Sequence, residues 1–347
     1  MRHERLTLVL AAVLMAAPAL AQSAESGGIG GTGISRETGG IGGTGLTRER
    51  QPVIAYGPIQ AFGSVFVNGR EYVVNSHTLV RVDGQPATIS NLQVGDIARV
   101  RGVITGGNHG YAQNINIVHS VIGPVEQISA DGRQAIILGQ RLDALGKPIF
   151  AGLKPGEMVA VSAQLRANGT WAAGNVAAAP GAAAQLAGPF VIRNGAITVA
   201  GTPVTLASGL IPPKTGSQVL VAGTVLHNQL IVQRLAPGVT LSAPSGTRVE
   251  VSDYFKEQNG QLHAPDGLEI TDFPNGDKLN GLEPVEVDGS LASPNVVDIN
   301  APEDMLNRLP PISVPEQLEN SGTEMAPDEL APELPSEPPE NPDLDDK

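Results

Sequence analysis

The sequence predicts an all-β protein made of about four tandem small β-barrel modules of the OB type, with a disordered Gly-rich linker before them and a disordered acidic, Pro-rich tail after them. Three observations predict this fold class. Sequence landmarks recur at intervals of about 66 residues. Apolar residues alternate with polar ones inside the repeats, as they do in half-buried strands. Asn-Gly and Asp-Gly pairs, which suit tight hairpins, separate the apolar runs.

The first 21 residues have the features of a secretory signal peptide. Arg2 and Arg5 provide a charged start, residues 6–15 are apolar, and Ala19-Leu20-Ala21 is a small-x-small cleavage site. The apolar run is shorter than the ~20 residues that a membrane-spanning helix needs, and no later run is long enough. We therefore expect cleavage after Ala21, no membrane span, and a mature protein in a periplasm or outside the cell.

Residues 22–56 are predicted to form a flexible linker. Within them, residues 27–50 hold two copies of a 12-residue repeat, GGIGGTGISRET followed by GGIGGTGLTRER. A Gly-rich phosphate-binding loop would need a strand before it and a helix after it, and the flanking sequence predicts neither. Gly-rich segments of this composition behave as flexible chains.

Two landmarks define the main repeat. A Gly-Pro pair recurs at Gly57, Gly123 and Gly188. A turn that ends in Gly and leads into an apolar strand recurs at 92–102, 153–163 and 213–223, with a degraded copy at 284–289. Terminal repeats are often atypical because they cap an array. The predicted β modules, which we name modules 1 to 4, are 57–122, 123–187, 188–237 and the diverged 238–300.

Each module is predicted to hold about five or six short strands. Val65 and Val67, then Tyr72 and Val74, show the alternation in module 1. A closed barrel would remove exposed sheet edges within one module; a continuous stacked sheet across modules is the alternative. The chain contains no cysteine, so disulfides contribute nothing. Each module must therefore be stabilised by its own aliphatic core or by packing on its neighbours.

Residues 301–347 are predicted to be a disordered tail. They contain 13 Asp and Glu residues but only 2 Lys and Arg residues, with many prolines and few large apolar side chains. Such a segment cannot bury enough apolar surface to offset the entropy of ordering. The best helical candidate of the chain is 301–309. The remainder of the chain is near neutral and has no basic stripe, which argues against nucleic acid as a partner.

The first module resembles the DUF5666 family of exported bacterial domains. The resembling residues are GPIQAFGSVFVNG at 57–69, Leu92-Gln-Val-Gly95-Asp, and Val100-Arg-Gly102. The Gly-rich leader at 27–33 and 39–45 is similar to leaders that precede such domains. Module 3 carries the pattern well, module 2 partly and module 4 poorly. The resemblance implies an exported β fold in tandem copies, and it implies no catalytic residues.

The sequence predicts no catalytic, cofactor or metal site. No two histidines after residue 21 have metal-ligand spacing, and the chain has neither a Gly-x-Ser-x-Gly elbow nor a cysteine nucleophile. Asp96 and Glu157 follow turn glycines at equivalent repeat positions, and the third copy has Ser217 there. Because Ser cannot replace a catalytic carboxylate, these side chains are predicted to stabilise turns.

Tyr111 and Trp171 are the predicted ligand contacts. Aromatic residues are only 3% of the chain, and these two follow turns at nearby repeat positions. If both are exposed on one rim they would anchor a ligand such as a sugar, whose faces stack on aromatic rings. The alternative is that they cover a barrel end.

The favoured function is that of a non-enzymatic exported protein whose modules present a binding or scaffold surface to an unknown cell-envelope or extracellular protein. Repetition supports it, because several weak sites on one chain gain avidity. This hypothesis predicts an apolar or complementary patch repeated across the modules. Carbohydrate or small-ligand binding is the first alternative. A hydrolase, which requires one convergent polar cluster in one module, is the second. No cofactor is expected.

Overall fold

The computed structural model describes residues 50–227, 229–273 and 278–299, together with the backbone of 307–308. The predicted signal peptide, almost all of the 12-residue repeat and almost all of the acidic tail lie outside the described residues. Where the chain is described it consists of short strands and one 3-10 helix. The prediction of an all-β protein is therefore confirmed.

Module 1 is a five-stranded barrel with an inserted hairpin. Its elements are β1 (Gln51–Ala61), β2 (Val65–Val67), β3 (Arg70–Val73), β4 (Leu79–Val82), β5 (Gln85–Ala87), the 3-10 helix Ile89–Asn91, β6 (Ile97–Gly106) and β7 (His109–Ile117). β1 pairs with β2, β2 with β3, β3 with β7, β7 with β6, and β6 with β1. Only the β3–β7 pair of this ring is parallel, which is the strand order expected for the OB type. The β4–β5 hairpin joins the ring through β7.

Modules 2 and 3 are closed barrels with the same strand order. Their strands are β8 (Val121–Ile128), β9 (Gln134–Ile137), β10 (Gln140–Ala144), β11 (Met158–Leu165) and β12 (Trp171–Ala178), then β13 (Ala184–Arg193), β14 (Ala196–Val199), β15 (Thr202–Leu206), β16 (Gln218–Leu226) and β17 (Gln229–Pro237). In each ring the third and fifth strands are parallel and the other pairs are antiparallel.

Module 4 repeats this order with an interrupted first strand. Its strands are β18 (Arg248–Asp253), β19 (Lys256–Gln258), β20 (Gln261–His263), β21 (Glu269–Thr271), β22 (Val285–Ser293) and β23 (Val296–Ile299). β18 and β19 together occupy the place of one long first strand, since β18 pairs with β22 and β19 pairs with β20. β24 (Asn307–Arg308) adds to β22, so these two residues are extended and not part of the helix predicted at 301–309.

Turn chemistry explains why the hairpins form where they do. Asn68 and Gly69 join β2 to β3 with φ of 52° and 69°, and Asn194 and Gly195 join β13 to β14 with φ of 51° and 78°. Positive φ at both central residues is the geometry that connects two antiparallel strands through two residues, and Asn and Gly adopt it most readily.

The first strand of each barrel begins before the predicted boundary. β1, β8 and β13 start at Gln51, Val121 and Ala184, whereas the predicted modules began at 57, 123 and 188. The cause is that the Gly-Pro landmark lies inside the first strand, where the strand changes partner. In β1, residues up to Pro58 pair with β6 and residues from Ile59 pair with β2.

The modules pack directly on one another. β1 runs parallel to β18 from Val53↔Arg248 to Tyr56↔Val251, and β8 pairs with β13. Modules 2 and 3 share one apolar core. Closed barrels and continuous sheets therefore coexist, because the strands join into sheets of 14 and 10 strands that run across modules.

Two further junctions use backbone contacts. Gly95 of module 1 and Gly174 of module 2 approach so closely that a Cβ at either position would overlap the carbonyl of the other, and the Ile97 amide donates to Ser162 Oγ at 2.7 Å. The side-chain Nε2 of Gln164 in module 2 donates to the backbone carbonyl of Ser252 in module 4 at 2.7 Å. In the described part of the chain, no helix is both long and apolar enough to traverse a bilayer.

Candidate functional site

The outer surface of module 1 combines aromatic rings with hydrogen-bonding side chains. Phe66 on β2 lies opposite Glu71 on β3, and Glu71 is paired in turn with His109 on β7. Val73 and Tyr111 form the next pair along β3 and β7. Directly paired residues project from the same side of a sheet. These five side chains therefore share one surface, which we call the module 1 face.

The centre of the module 1 face is polar. Ser64, in the β1–β2 loop, donates from Oγ to Glu71 Oε1 at 2.8 Å. His109 Nδ1 lies 3.0 Å from Glu71 Oε2. The imidazole is exposed and the carboxylate is half-buried. Both groups can therefore bond a molecule that lies on the surface.

Aromatic rings flank this polar centre. Tyr111 is 45% exposed and Phe62, in the same loop as Ser64, is 38% exposed; Phe66 is partly exposed. The alternate residues Val65, Val67 and Tyr72 point into the barrel and are fully buried. The two-residue period of β2 and β3 thus places Val65, Val67 and Tyr72 inside the barrel and leaves Phe66 and Glu71 on its outer surface.

The structure separates the two predicted ligand contacts. Tyr111 lies on the module 1 face, and its role in ligand contact stays a prediction. Trp171 is only 3% exposed, and its Nε1 donates to Gln140 Oε1 at 2.6 Å inside module 2. Of the two alternatives for Trp171, the structure excludes exposure on a rim, because β12 begins with this side chain directed into the core that modules 2 and 3 share.

Module 2 carries a groove on the corresponding side of its barrel. The groove holds about 450 Å³ and lies against β8, β9 and β10, with Thr170 at one end. Gln127, Gln134 and Arg141 contribute exposed polar side chains. Asp143 accepts hydrogen bonds from Gln134 Nε2 at 3.0 Å and from Arg166 Nη1 at 2.6 Å. None of the lining residues is aromatic, so this groove lacks the rings of the module 1 face.

The equivalent turn carboxylates have the structural role that the sequence predicted. Asp96 Oδ2 accepts a hydrogen bond from the Gln93 amide at 2.8 Å, and Glu157 Oε2 accepts one from the Lys154 amide at 3.1 Å. Each carboxylate thus closes the turn that precedes its strand. Asp96 also accepts from Asn175 Nδ2 of module 2 at 2.8 Å, which ties the turn to the neighbouring barrel.

The polar clusters do not have the order of a hydrolytic triad. In the module 1 face the carboxylate lies between the hydroxyl and the imidazole, so Ser64 donates to Glu71 and not to His109. In such a triad the imidazole is the general base, so the nucleophilic hydroxyl must be hydrogen-bonded to the imidazole. His119 pairs with Asp83 at 2.7 Å and is nearly buried between modules. Among the described residues, no group of three or more His, Asp or Glu side chains is arranged to hold a metal ion.

Comparison with known protein families identifies two of the modules. The model of a domain of unknown function, DUF5666, matches residues 56–116 and again residues 122–177. The chain carries two tandem DUF5666 domains. They correspond to modules 1 and 2, and the suspected family is therefore confirmed. No curated protein and no solved structure matches the chain.

Both DUF5666 domains and module 3 share a contact that module 4 replaces. In the first strands, Gly57, Gly123 and Gly188 pair with the fourth strand of their barrel. A Cβ on Gly123 would lie 2.7 Å from Leu138, and one on Gly188 would lie 2.8 Å from Ala200. Both neighbours, like Asn68 beside Gly57, stand in the turn between the second and third strands. The glycine therefore makes room for the turn to pack on the first strand.

Module 4 has a pair of acidic side chains at this place. Asp253 is paired with Val285 on β22, four residues before Gly289, just as Gly57 is paired with Ala98, four residues before Gly102. Asp266 occupies the turn that follows β20, and it lies close enough to Asp253 for its charge to raise the pKa of Asp253. The missing glycine was the signal that would have revealed them.

Burial disfavours the ionised form of both carboxyl groups in this pair. Asp253 Oδ1 accepts from the Tyr254 amide at 2.8 Å, and Asp266 Oδ1 accepts from the Leu268 amide at 3.2 Å. The two Oδ2 atoms are buried and have no donor. Burial raises the pKa of both carboxyl groups, and the charge of Asp266 raises the pKa of Asp253 further. The neighbouring Tyr56 of module 1 opposes the effect of burial on the pKa of Asp266. We therefore expect one of the two carboxyl groups to hold a proton.

A second buried cluster joins the first DUF5666 domain to module 4. Arg70 donates from Nε and Nη2 to Glu250 at 2.9 and 2.6 Å, and both side chains are nearly inaccessible. Tyr72 and Arg248 also donate to Glu250, at 3.2 and 3.1 Å. Burial, together with the charges of Glu250 and Asp288, raises the pKa of the neighbouring Glu286 to about 7. Sequence reasoning missed this cluster, because its members alternate along their strands as surface residues do.

Proposed function

We propose that this protein is an exported, non-catalytic binding protein, and that it holds a cell-envelope or extracellular partner on the module 1 face. The observation that carries the proposal is the arrangement of Phe62, Phe66 and Tyr111 around the polar pair Glu71 and His109. Aromatic side chains are enriched at protein interfaces and among the residues that dominate binding energy there.

The distribution of exposed apolar side chains supports a single principal surface. Among the described residues, the exposed large apolar side chains fall mainly on module 1, which holds Phe62, Leu79, Ile89, Val94 and Tyr111. Module 3 contributes three, module 4 one and module 2 none. The exposed apolar side chains of the described residues are therefore not distributed equally among the modules. We infer that module 1 carries the main contact surface and that the other modules hold it in place.

The order of the polar groups supports a non-catalytic role. Ser64 bonds the carboxylate of Glu71 and not the imidazole of His109, so the Ser–His contact of a hydrolytic triad is absent from this face. Glu71 and His109 are instead held together as paired acceptor and donor groups on an open surface. Such a pair recognises hydrogen-bonding groups of a partner and leaves its covalent bonds unchanged.

The binding proposal is tested by cross-linking in intact cells, followed by mass spectrometry of a tagged chain. The Tyr111→Ala variant should lose the dominant cross-linked partner, because it removes an exposed ring without disturbing a core. The matched control is Ile211→Ala, which removes an exposed side chain of module 3. Equal recovery of the partner by both variants would show that the module 1 face is not the contact surface.

Export is tested separately by fractionation and N-terminal sequencing. The apolar run at 6–15 and the cleavage site at 19–21 support a mature chain that begins at Gln22. We expect the tagged protein in the periplasmic or culture fraction with that N-terminus. Recovery of the chain from the cytosol with Met1 retained would contradict export.

A second candidate function is the binding of a glycan on the same face. The observation that favours it is the presence of aromatic rings beside a carboxylate and an imidazole, since sugars offer apolar faces for stacking and hydroxyl groups for hydrogen bonds. A glycan array probed with the native chain, with Tyr111→Ala and with Glu71→Gln distinguishes the two. Binding that both substitutions weaken favours a glycan. An array with no signal, together with a cross-linked protein, favours a protein partner.

A further inference from the structure

A cavity of about 200 Å³ lies where module 1 meets module 3 and the segment that leads into module 4. Ile97, Val118, Leu220 and Val239 provide apolar walls, and they come from parts of the chain that are distant in sequence. Engineered protein cavities of about 150 Å³ admit a ligand the size of benzene. The space is therefore sufficient for a short alkyl chain. It is separate from the module 1 face, because β6 and the end of β7 line it.

One wall of the cavity carries a cation without an anionic partner. Arg99 is partly buried, and its Nη1 donates to the Thr240 carbonyl at 2.6 Å. Within the described residues, no carboxylate bonds this guanidinium. Burial lowers the pKa of Arg99, the neighbouring Arg101 lowers it further, and only Tyr56 opposes them. An arginine nevertheless remains charged.

A charge that is partly withdrawn from water and has no counter-charge is unfavourable, so an anion at this place would be stabilising. Elsewhere in this chain the buried arginine is paired, since Arg70 bonds Glu250. The guanidinium of Arg99 has five N–H donors in a fork that fits a carboxylate. Asn116 lines the cavity as well and adds amide donors.

We propose that this cavity binds a small amphipathic monocarboxylate, with its carboxylate on Arg99 and Asn116 and its alkyl chain against Ile97, Leu220 and Val239. The bound molecule contacts module 1, module 3 and the connecting segment together. It therefore stabilises their packing, because any ligand that binds only the folded state shifts the unfolding equilibrium.

The test uses the mature chain and three probes: sodium octanoate, octanol with the same chain length but no charge, and sodium acetate with the charge but almost no chain. Binding is measured by calorimetry and by the shift in thermal midpoint. The native chain should bind octanoate more tightly than either other probe. Arg99→Gln should weaken octanoate by about tenfold or more, the loss expected for a charge-assisted hydrogen bond, and should leave octanol unchanged.

Two further variants make the result decisive. Arg141→Gln removes an exposed arginine on module 2 and should leave octanoate binding unchanged. Ala187→Leu adds bulk to the cavity wall, so it should weaken octanoate and octanol alike while the midpoint without probe stays near the native value. Octanoate that protects Arg99→Gln as well as the native chain overturns the proposal. So does the absence of any octanoate binding to the native chain.

Discussion

Replacing Asp253 with Asn should stabilise the protein at neutral pH and flatten its dependence on pH. Asp253 is 1% exposed, and its Oδ2 and that of Asp266 are buried without a hydrogen-bond donor. The pKa values of both are raised, so the folded state holds a proton that the unfolded state has already released. A group whose pKa is raised by folding contributes stability at low pH and loses it as the pH rises through the folded-state value.

The magnitude follows from the one proton that the pair holds. One proton bound only by the folded state costs about 1.4 kcal/mol of stability for each pH unit above the ordinary Asp value, until the pair itself ionises. The amide that Asp253→Asn introduces carries no charge, and its Nδ2 would donate to Asp266 in place of the acidic proton. This slope should therefore be absent in the variant, and its advantage over the native chain should grow from pH 5 to pH 7.

Urea unfolding, followed by circular dichroism at several pH values, measures the effect. Asp131→Asn is the matched control, because Asp131 is exposed and its pKa is lowered by the Ser129 hydroxyl and not raised. The control should retain the native slope. If the native chain and Asp253→Asn lost stability in parallel as the pH rose, the pair would not hold the proton and the assignment would fail.

Three other substitutions follow from the buried contacts. Trp171→Ala should cost about 3–5 kcal/mol in urea unfolding, as expected for a buried indole, whereas Tyr111→Ala should stay within about 0.5 kcal/mol; equal losses would contradict the assigned burial. Arg70→Met should cost up to about 3–5 kcal/mol, because it removes the main cationic partner of the buried Glu250 and leaves only Arg248 and Tyr72 bonded to it, and adding Glu250→Gln should recover part of it; a strictly additive cycle would refute the pairing. Glu286→Gln should remove a loss of stability on raising the pH through about 7, and an unchanged profile would refute it.

The barrels were predictable because each depends on short-range signals. Asn68-Gly69 can form a tight turn whatever surrounds it, and the alternation of Val65 and Val67 fixes which side of β2 is buried. The repeat strengthened the prediction, because equivalent turns recur in successive modules. The turn roles of Asp96 and Glu157 were predictable for the same reason, because each carboxylate bonds an amide only three residues away.

The packing of modules was not predictable, because it depends on residues that are far apart in the chain. Arg70 and Glu250 are separated by 180 positions, and each taken alone is an ordinary polar residue on a strand. The module 1 face was difficult to predict for the same reason. Trp171 was predicted as a ligand contact because aromatic residues are scarce in this chain. Nothing in the neighbouring sequence indicated that its Nε1 would donate to Gln140 inside the barrel. Phe66 and Glu71 were overlooked although their alternation with buried neighbours places them outside.

The divergence of module 4 coincides with its contacts to module 1. A terminal repeat that only capped an array would replace apolar residues with polar ones on a face open to water. Module 4 instead pairs β18 with β1, and Glu250 on that strand lies buried against Arg70 of the first DUF5666 domain. Its second departure, Asp253 in the place of a glycine, is also buried, and it lies close to Asp266 and to Tyr56 of module 1. Both departures lie where the last module meets the first. The residues that distinguish module 4 from the repeat are therefore ones that join it to module 1.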